Sequence, residues 1–471
     1  MAGSTEQNEF FERSFSRFPN AVALYTPDGQ SVTFGKLLSS IKGVAAKLRA
    51  FGVRPGQVIA PTSENPALFY ILTLGALRMG ATVACVPSVD LATAKGLFAD
   101  YAINFPDKPS VTTRNLIFDA SWFSTEGHDG VGSDGHFIFG SSGTTGQPKY
   151  YLARQSVTKG WIDYSSQIFG FNRVDTLVSL PVFSGYGLKL LLHSNLAGGG
   201  VFLPHASAAA TLRSLKPANP LEMTGTPAFL ADLMAAVKAG SPKPPFFRII
   251  LGGSPVAMEL AAEAEELFGC PVLNSYGSTE AGINSALRVV TEQKIKGTAG
   301  KAIPGGAFFV EDDAGRPLPH GEEGHVKVLA PPQNRVLRSL VGSDPLDEQG
   351  RFVSGDIGYL LEDGTLVVTG RADERINSSG SKVAPERYEA LAQQYVKARE
   401  VAAFAIPNAG GSEDVGLALV ADEPADRAML KSKMEEAIGT HLRVHVFQIE
   451  MLPRNAAGKV DRQALRKQLV T

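Results

Sequence analysis

The chain has 471 residues, too many for one hydrophobic core, so two or three domains are expected. Hydrophobic residues make up 44% and charged residues 20%, the balance of an ordinary water-exposed globular protein. A net charge of −2 gives no overall field favouring nucleic acid or an anionic membrane surface. The two cysteines, Cys85 and Cys270, lie in apolar runs. They read as small buried hydrophobes of a reducing, cytoplasmic setting rather than a disulfide or metal site.

The first fifty residues alternate strand and helix patterns. Strands are expected at 21–25 and 32–34 around the turn Pro27-Asp28-Gly29, then an amphipathic helix over 37–51 that stops at Gly52. A strand at 58–60, a helix over 67–79 and a strand at 81–86 form a strand–helix–strand unit. Its apolar run contains Arg78 and two glycines and does not read as a membrane span. The next clear strand is 115–118. Gly130, Gly132 and Gly135 spell GxGxxG, but a strand follows them instead of preceding them, so they read as a surface loop.

The stretch 137–149, FIFGSSGTTGQPK, is the first chemical signal. A buried strand opens into Ser141, Ser142, Gly143, Thr144, Thr145 and Gly146, and Lys149 closes the run. Backbone N–H groups and hydroxyls can donate to phosphate oxygens there, and Lys offsets their charge. The spacing is not that of a Walker A loop.

Beyond it the βα alternation resumes. Strands are expected at 176–180, 201–203, 223–227, 247–251 and 271–273, and helices at 188–192, 228–239 and 258–268. Several strands end in polar loops, Gly252-Gly253-Ser254-Pro255 and Asn274-Ser275-Tyr276-Gly277-Ser278-Thr279-Glu280. Open α/β sheets bind ligands at such carboxyl ends. From about 296 short strands and turns indicate a β-rich subdomain leading to Ser354-Gly355-Asp356 and Gly370-Arg371. After a boundary near 371–376, helices at 385–397 and 426–442 and strands at 401–406, 416–420 and 445–450 form a compact α+β unit ending in a polar loop with Lys459. The fold expected is therefore α/β: a large multi-subdomain N-terminal domain, 1–372, with a small β-rich subdomain, and a small mobile C-terminal α+β domain, 373–471.

Taken singly, Asp356, Arg371 and Lys459 read more readily as solvated charges, and Glu280 reads as well as an acid at a helix N-terminus. The ordered set PKY, SYGSTE, SGD, GRADERI and NAAGK nevertheless resembles the adenylate-forming superfamily of acyl-CoA synthetases, luciferases and peptide-synthetase adenylation domains. That resemblance spans nearly the whole chain. It implies binding of ATP and a carboxylic acid, formation of acyl-AMP with loss of pyrophosphate, then a swing of the small domain and transfer to a thiol. By motif position, Ser141 to Lys149 would cradle the β- and γ-phosphates. The segments 252–255 and 274–277 would line adenine, and Asp356 and Arg371 would hold ribose. Thr279 would touch the α-phosphate, Glu280 would hold Mg²⁺, and Lys459 would be the adenylation lysine. Asp373 would be the hinge and Gly380 would line the thiol tunnel.

Two departures stand out. Tyr150 replaces the glycine usual after Pro-Lys, and Ser184 stands where amino-acid activators carry Asp, which argues against an α-amino acid substrate. Phe183, Ser184 and Thr224, with Gly252 and Tyr276, are candidates for the acid pocket. Lys189 reads either as a side chain snorkelling to the surface or as a contact to a polar group on the substrate. The thiol is either coenzyme A, which is favoured, or the phosphopantetheine of an acyl or peptidyl carrier protein. A catalytically silent nucleotide binder and a luciferase-like oxygenase are the competing readings.

Overall fold

A computed structural model describes residues 12–85, 100–104, 115–123, 135–141, 149–155, 173–293, 295–331, 335–336, 338–340, 344–372, 374–378, 381–408, 413–438, 443–454 and 460–470, and every count below refers to these. The first of three main sheets in the N-terminal region has eight strands. Their spatial order is Gly282–Arg288, Val272–Ser278, Phe246–Gly252, Leu221–Gly225, Asp175–Val178, Val201–Phe202, Val22–Tyr25 and Ser31–Thr33. The six inner strands are parallel and the outer one at each end is antiparallel. Parallel strands must be covered on both faces, which explains their continuous apolar runs. Asp175 anchors the sheet from full burial, its carboxylate accepting N–H groups of Gly200, Ala218 and Asn219.

A second sheet of seven strands centres on Thr82–Cys85, Val58–Pro61 and His136–Ser141, with Lys149–Arg154 antiparallel to the last. The two sheets share one apolar core, in which Phe69, Phe137, Phe139, Leu188, Ile250 and Ile283 are almost fully buried. A five-stranded antiparallel sheet follows, ordered Thr298–Gly300, Leu366–Arg371, Phe352–Leu360, Gly324–Leu329 and Ala307–Glu311. The final hundred residues fold around a three-stranded sheet of Glu400–Pro407, Glu413–Val420 and Val444–Gln448 with helices Pro385–Ala392, Arg427–Ile438 and Arg462–Leu469. Their two apolar cores draw only on residues from Ile376 onwards.

Local chemistry shifts several element boundaries. The expected helix at 37–51 begins three residues earlier, at Phe34, because the Thr33 hydroxyl accepts from the Lys36 N–H and caps it. The helix expected over 385–397 stops at Ala392. The loop expected at 274–280 is mostly strand: Val272–Ser278 pairs with Gly282–Arg288, which the pattern had not marked as a strand. Gly277 makes that pairing possible, since a Cβ there would lie 2.3 Å from the Gly282 carbonyl oxygen. Both cysteines are buried and free, and burial raises the Cys270 thiol to about 11. No helix among the described residues is long and apolar enough to cross a membrane.

Candidate active site

Two strand ends meet where the adenine segments were expected. Gly252 and Ser275 are register partners on adjacent parallel strands. Tyr186, in the helix Gly185–Leu196, packs beneath both: its hydroxyl lies 3.2 Å from Ser275 Oγ, and a Cβ on Gly252 would lie 3.0 Å from its ring. Burial raises the Tyr186 phenol to about 12, so it remains protonated. Gly253 turns the chain away from the strand with φ of +85°, leaving Gly253 and Pro255 exposed at the rim. Asn274 is buried on the neighbouring strand.

The five-stranded sheet brings Asp356 and Arg371 together as register partners. One carboxylate oxygen of Asp356 accepts from Arg371 Nη1 at 2.9 Å, and the other accepts from the Tyr276 hydroxyl at 2.6 Å. Tyr276 belongs to the eight-stranded sheet, so this contact joins the segments expected at adenine and at ribose across two sheets. Burial and the Asp356 charge push the Tyr276 phenol well above its usual range and keep its proton in place as a donor. Ser354 completes the corner. Its hydroxyl accepts from the Asp356 N–H at 3.0 Å, and its carbonyl accepts from Arg371 Nη1 at 2.8 Å. Gly355 adopts φ of +73°, and a Cβ there would strike the Arg371 guanidinium at 2.8 Å.

Glu280 follows the strand Val272–Ser278 directly. It is 7% exposed, and its backbone carbonyl accepts from the Val336 N–H. Its carboxylate has no hydrogen-bond or ion-pair partner among the described residues. A buried, uncompensated carboxylate fits a hard cation such as Mg²⁺. Thr279 beside it is half-buried. The antiparallel strands His136–Ser141 and Lys149–Arg154 pair Ser141 with the exposed Lys149. Tyr150 is buried on this hairpin against Gly140 and packs with Ala60, Ala84 and Ile138.

The acid-pocket candidates divide. Phe183 stacks edge-on against Phe69 at 6.4 Å. The Ser184 hydroxyl is engaged in capping the helix Gly185–Leu196, accepting from the Gly187 N–H and donating to the Pro181 carbonyl at 2.7 Å. Thr224 is fully buried, and its hydroxyl donates to Glu222 Oε1 at 3.3 Å. Lys189 does not snorkel: it is 4% exposed, with its ammonium 5.8 Å from the centre of the Phe139 ring, and burial lowers it to about 8.

Ser142, Gly143, Thr144, Thr145, Gly146, Asp373, Gly380 and Lys459 lie outside the described residues. Sequence reasoning missed Tyr186 and Ser354. Each sits two residues from a singled-out one, Ser184 and Asp356, but their partners lie 89 and 17 residues away. Among the described residues no cluster of His, Cys, Asp and Glu forms a metal cage of three or more ligands.

Comparison with known proteins finds a family and a shared fold. The family model described as AMP-binding enzyme matches residues 11–94 and 109–331. The 2-succinylbenzoate–CoA ligase of Listeria monocytogenes serotype 4b is 25% identical over 93% of this chain and 95% of its own. The structure of ATP-bound MatB from Rhodopseudomonas palustris is similar with a TM-score of 0.84 at 22% identity, covering 98% of each chain. The o-succinylbenzoate coenzyme A synthetase MenE of Bacillus subtilis, in complex with ATP and magnesium ion, has a TM-score of 0.82 at 22% identity, covering 97% of this chain and 99% of the other.

Proposed function

The chain belongs to the AMP-binding enzyme family of adenylate-forming ligases, and from that premise we propose that it activates a non-amino carboxylic acid as acyl-AMP and transfers the acyl group to coenzyme A. The observation that carries this reading is the corner in which Tyr276, Asp356 and Arg371 converge from two sheets beside Gly252 and Ser275. It sets a held carboxylate for ribose hydroxyls beside the two strand ends that would face the base. Glu280, whose carboxylate has no partner among the described residues, lies just beyond the end of the strand carrying Tyr276.

The chemistry explains the rest of the set. Attack of a carboxylate on the α-phosphate brings two anions together, so positive charge must be fixed where negative charge develops. Lys459, carried over by its motif position, bridges the two groups, and removal of one such contact costs about 3 kcal/mol of barrier. Glu280 would hold Mg²⁺, which supplies charge neutralisation to the phosphate oxygens. Residues 142–148 and Lys149 would hold the leaving pyrophosphate, and Thr279 would meet the α-phosphate. The separate cores from Ile376 onwards support a domain boundary at 372/373, with Asp373 as the hinge and Gly380 lining the thiol path. The free, buried cysteines suit a cytoplasmic enzyme.

The test is thioester formation with a panel of aliphatic and aromatic mono- and dicarboxylic acids, including the 2-succinylbenzoate for which the Listeria relative is named, with ATP, Mg²⁺ and coenzyme A. An ATP-dependent acyl-CoA product supports the reading. Acyl-AMP that accumulates with coenzyme A but is discharged by a carrier protein would instead identify the carrier's phosphopantetheine as the thiol. No acyl-AMP with any acid would contradict the ligase reading.

A further inference from the structure

Arg462 opens the last helix, three residues after Lys459, and is the hub of an acidic cage. Its Nη1 meets Glu374, and its Nη2 meets Glu389 at 2.8 Å and Glu386 at 3.1 Å. Its Nε donates to the Ala403 carbonyl at 2.9 Å, while the Ala403 N–H donates to Glu389. One guanidinium therefore ties together the segment just after the expected hinge, the helix Pro385–Ala392 and the strand Glu400–Pro407. The planar fork suits this task, because its donors point in fixed and different directions. The other flank of 455–459 is fastened too. Arg454 pairs with Glu400, Arg454 and Val460 form a bridge, and the Asp461 N–H donates to the Pro453 carbonyl at 2.8 Å.

The cage also touches the nucleotide corner. Glu386 uses one oxygen on Arg462, while the other is buried with no hydrogen-bond partner. That second oxygen would lie 2.8 Å from a Cβ on Gly370, the residue before Arg371. Glu386 thus sits close to the strand that carries Arg371, whose guanidinium holds Asp356.

We propose that Arg462, held by Glu374, Glu386 and Glu389, is a positioning residue that fixes the Lys459 segment for the adenylation step. The inference rests on the reading of Lys459 as the adenylation lysine. Its role belongs to the first half-reaction, since the thiol step needs Lys459 elsewhere.

The experiment measures the two half-reactions separately in the full chain. Pyrophosphate release is followed with ATP, Mg²⁺ and the acid that scores in the panel; thioester formation is followed from the corresponding preformed acyl-adenylate and coenzyme A. Variants are Lys459→Ala, Arg462→Gln, Arg462→Lys and Glu374→Gln, each checked by circular dichroism and thermal melting. Arg462→Gln should slow pyrophosphate release about 100-fold while thioester formation falls far less, since a small misplacement of a reacting group is enough for such a loss. Arg462→Lys and Glu374→Gln should show the same split in smaller measure, and they decide the matter if Arg462→Gln fails to fold. Equal loss in both half-reactions, or unchanged pyrophosphate release, overturns the positioning role while leaving the ligase reading intact. Unchanged release in Lys459→Ala would instead remove the assignment of Lys459 and this inference with it.

Discussion

Two charged clusters in this molecule look alike and behave differently. In the five-stranded sheet, Lys327 and Arg351 face Glu311 and Asp347, two cations against two anions, with contacts of 2.7 to 3.3 Å. Burial works against both carboxyls, but the two cations outweigh it and hold them below their usual range. In the C-terminal region Arg462 alone faces Glu374, Glu386 and Glu389. There burial, together with the neighbouring carboxylates, raises Glu386 to about 7 despite Arg462. Burial likewise opposes the Arg462 charge, but the three carboxylates outweigh it and hold the guanidinium above its usual range. A balanced network acts as a strut. An unbalanced one leaves a carboxyl poised between states beside the strand Leu366–Arg371, which would suit the proposed joint between two domains.

The largest expected effect comes from breaking the strut. Glu311→Gln removes the buried carboxylate of the network and leaves two half-buried cations sharing Asp347; this should cost about 2 kcal/mol in urea unfolding, with pyrophosphate release per folded molecule unchanged. A selective loss of activity without loss of stability would mean that this cluster also serves the site. Next in size is Tyr276→Phe, which removes a 2.6 Å hydrogen bond to the Asp356 carboxylate. Calorimetry should show ATP binding weakened by about 1.5 kcal/mol, roughly tenfold. Unchanged affinity would detach that contact from the ribose corner.

Ser184→Ala is smaller. Loss of the helix cap should lower stability by about 1 kcal/mol and leave the KM for the acid unaltered. A large rise in KM would return the hydroxyl to the substrate pocket. The last prediction concerns a sign. Glu386 keeps its proton in the folded state up to about 7, whereas the unfolded chain releases it near the ordinary carboxyl value. The folded state thus binds more protons across that window, and stability falls as pH rises through it. Glu386→Gln stands in for the protonated form, so its Tm relative to wild type should be higher at pH 8 than at pH 5. A difference independent of pH would show that Glu386 does not titrate there.

The α/β alternation was legible because buried parallel strands and amphipathic helices write different periods into the chain. The helix Met258–Phe268 agrees at both ends, since Gly269 terminates it in a left-handed turn. The paired strand 282–288 escaped notice because Ser, Asn and Gly weaken its apolar alternation, and its stability comes from the neighbouring strand. Within the site, Asp356, Arg371 and Tyr276 were readable as motif residues, and the structure brings them into contact. Ser184 and Lys189 were read from position alone, and their capping and burial depend on packing that one sequence does not express. The Arg462 cage was invisible for the same reason, as its carboxylates lie 73 to 88 residues away along the chain.

The most direct measurement of the central claim is acid-dependent exchange of labelled pyrophosphate into ATP, since it reports reversible acyl-AMP formation without involving the thiol. The account predicts exchange in wild type that requires both the acid and Mg²⁺ and disappears in Lys459→Ala. Exchange that persists undiminished in Lys459→Ala, or an absence of exchange with every acid while ATP binds normally, would contradict it.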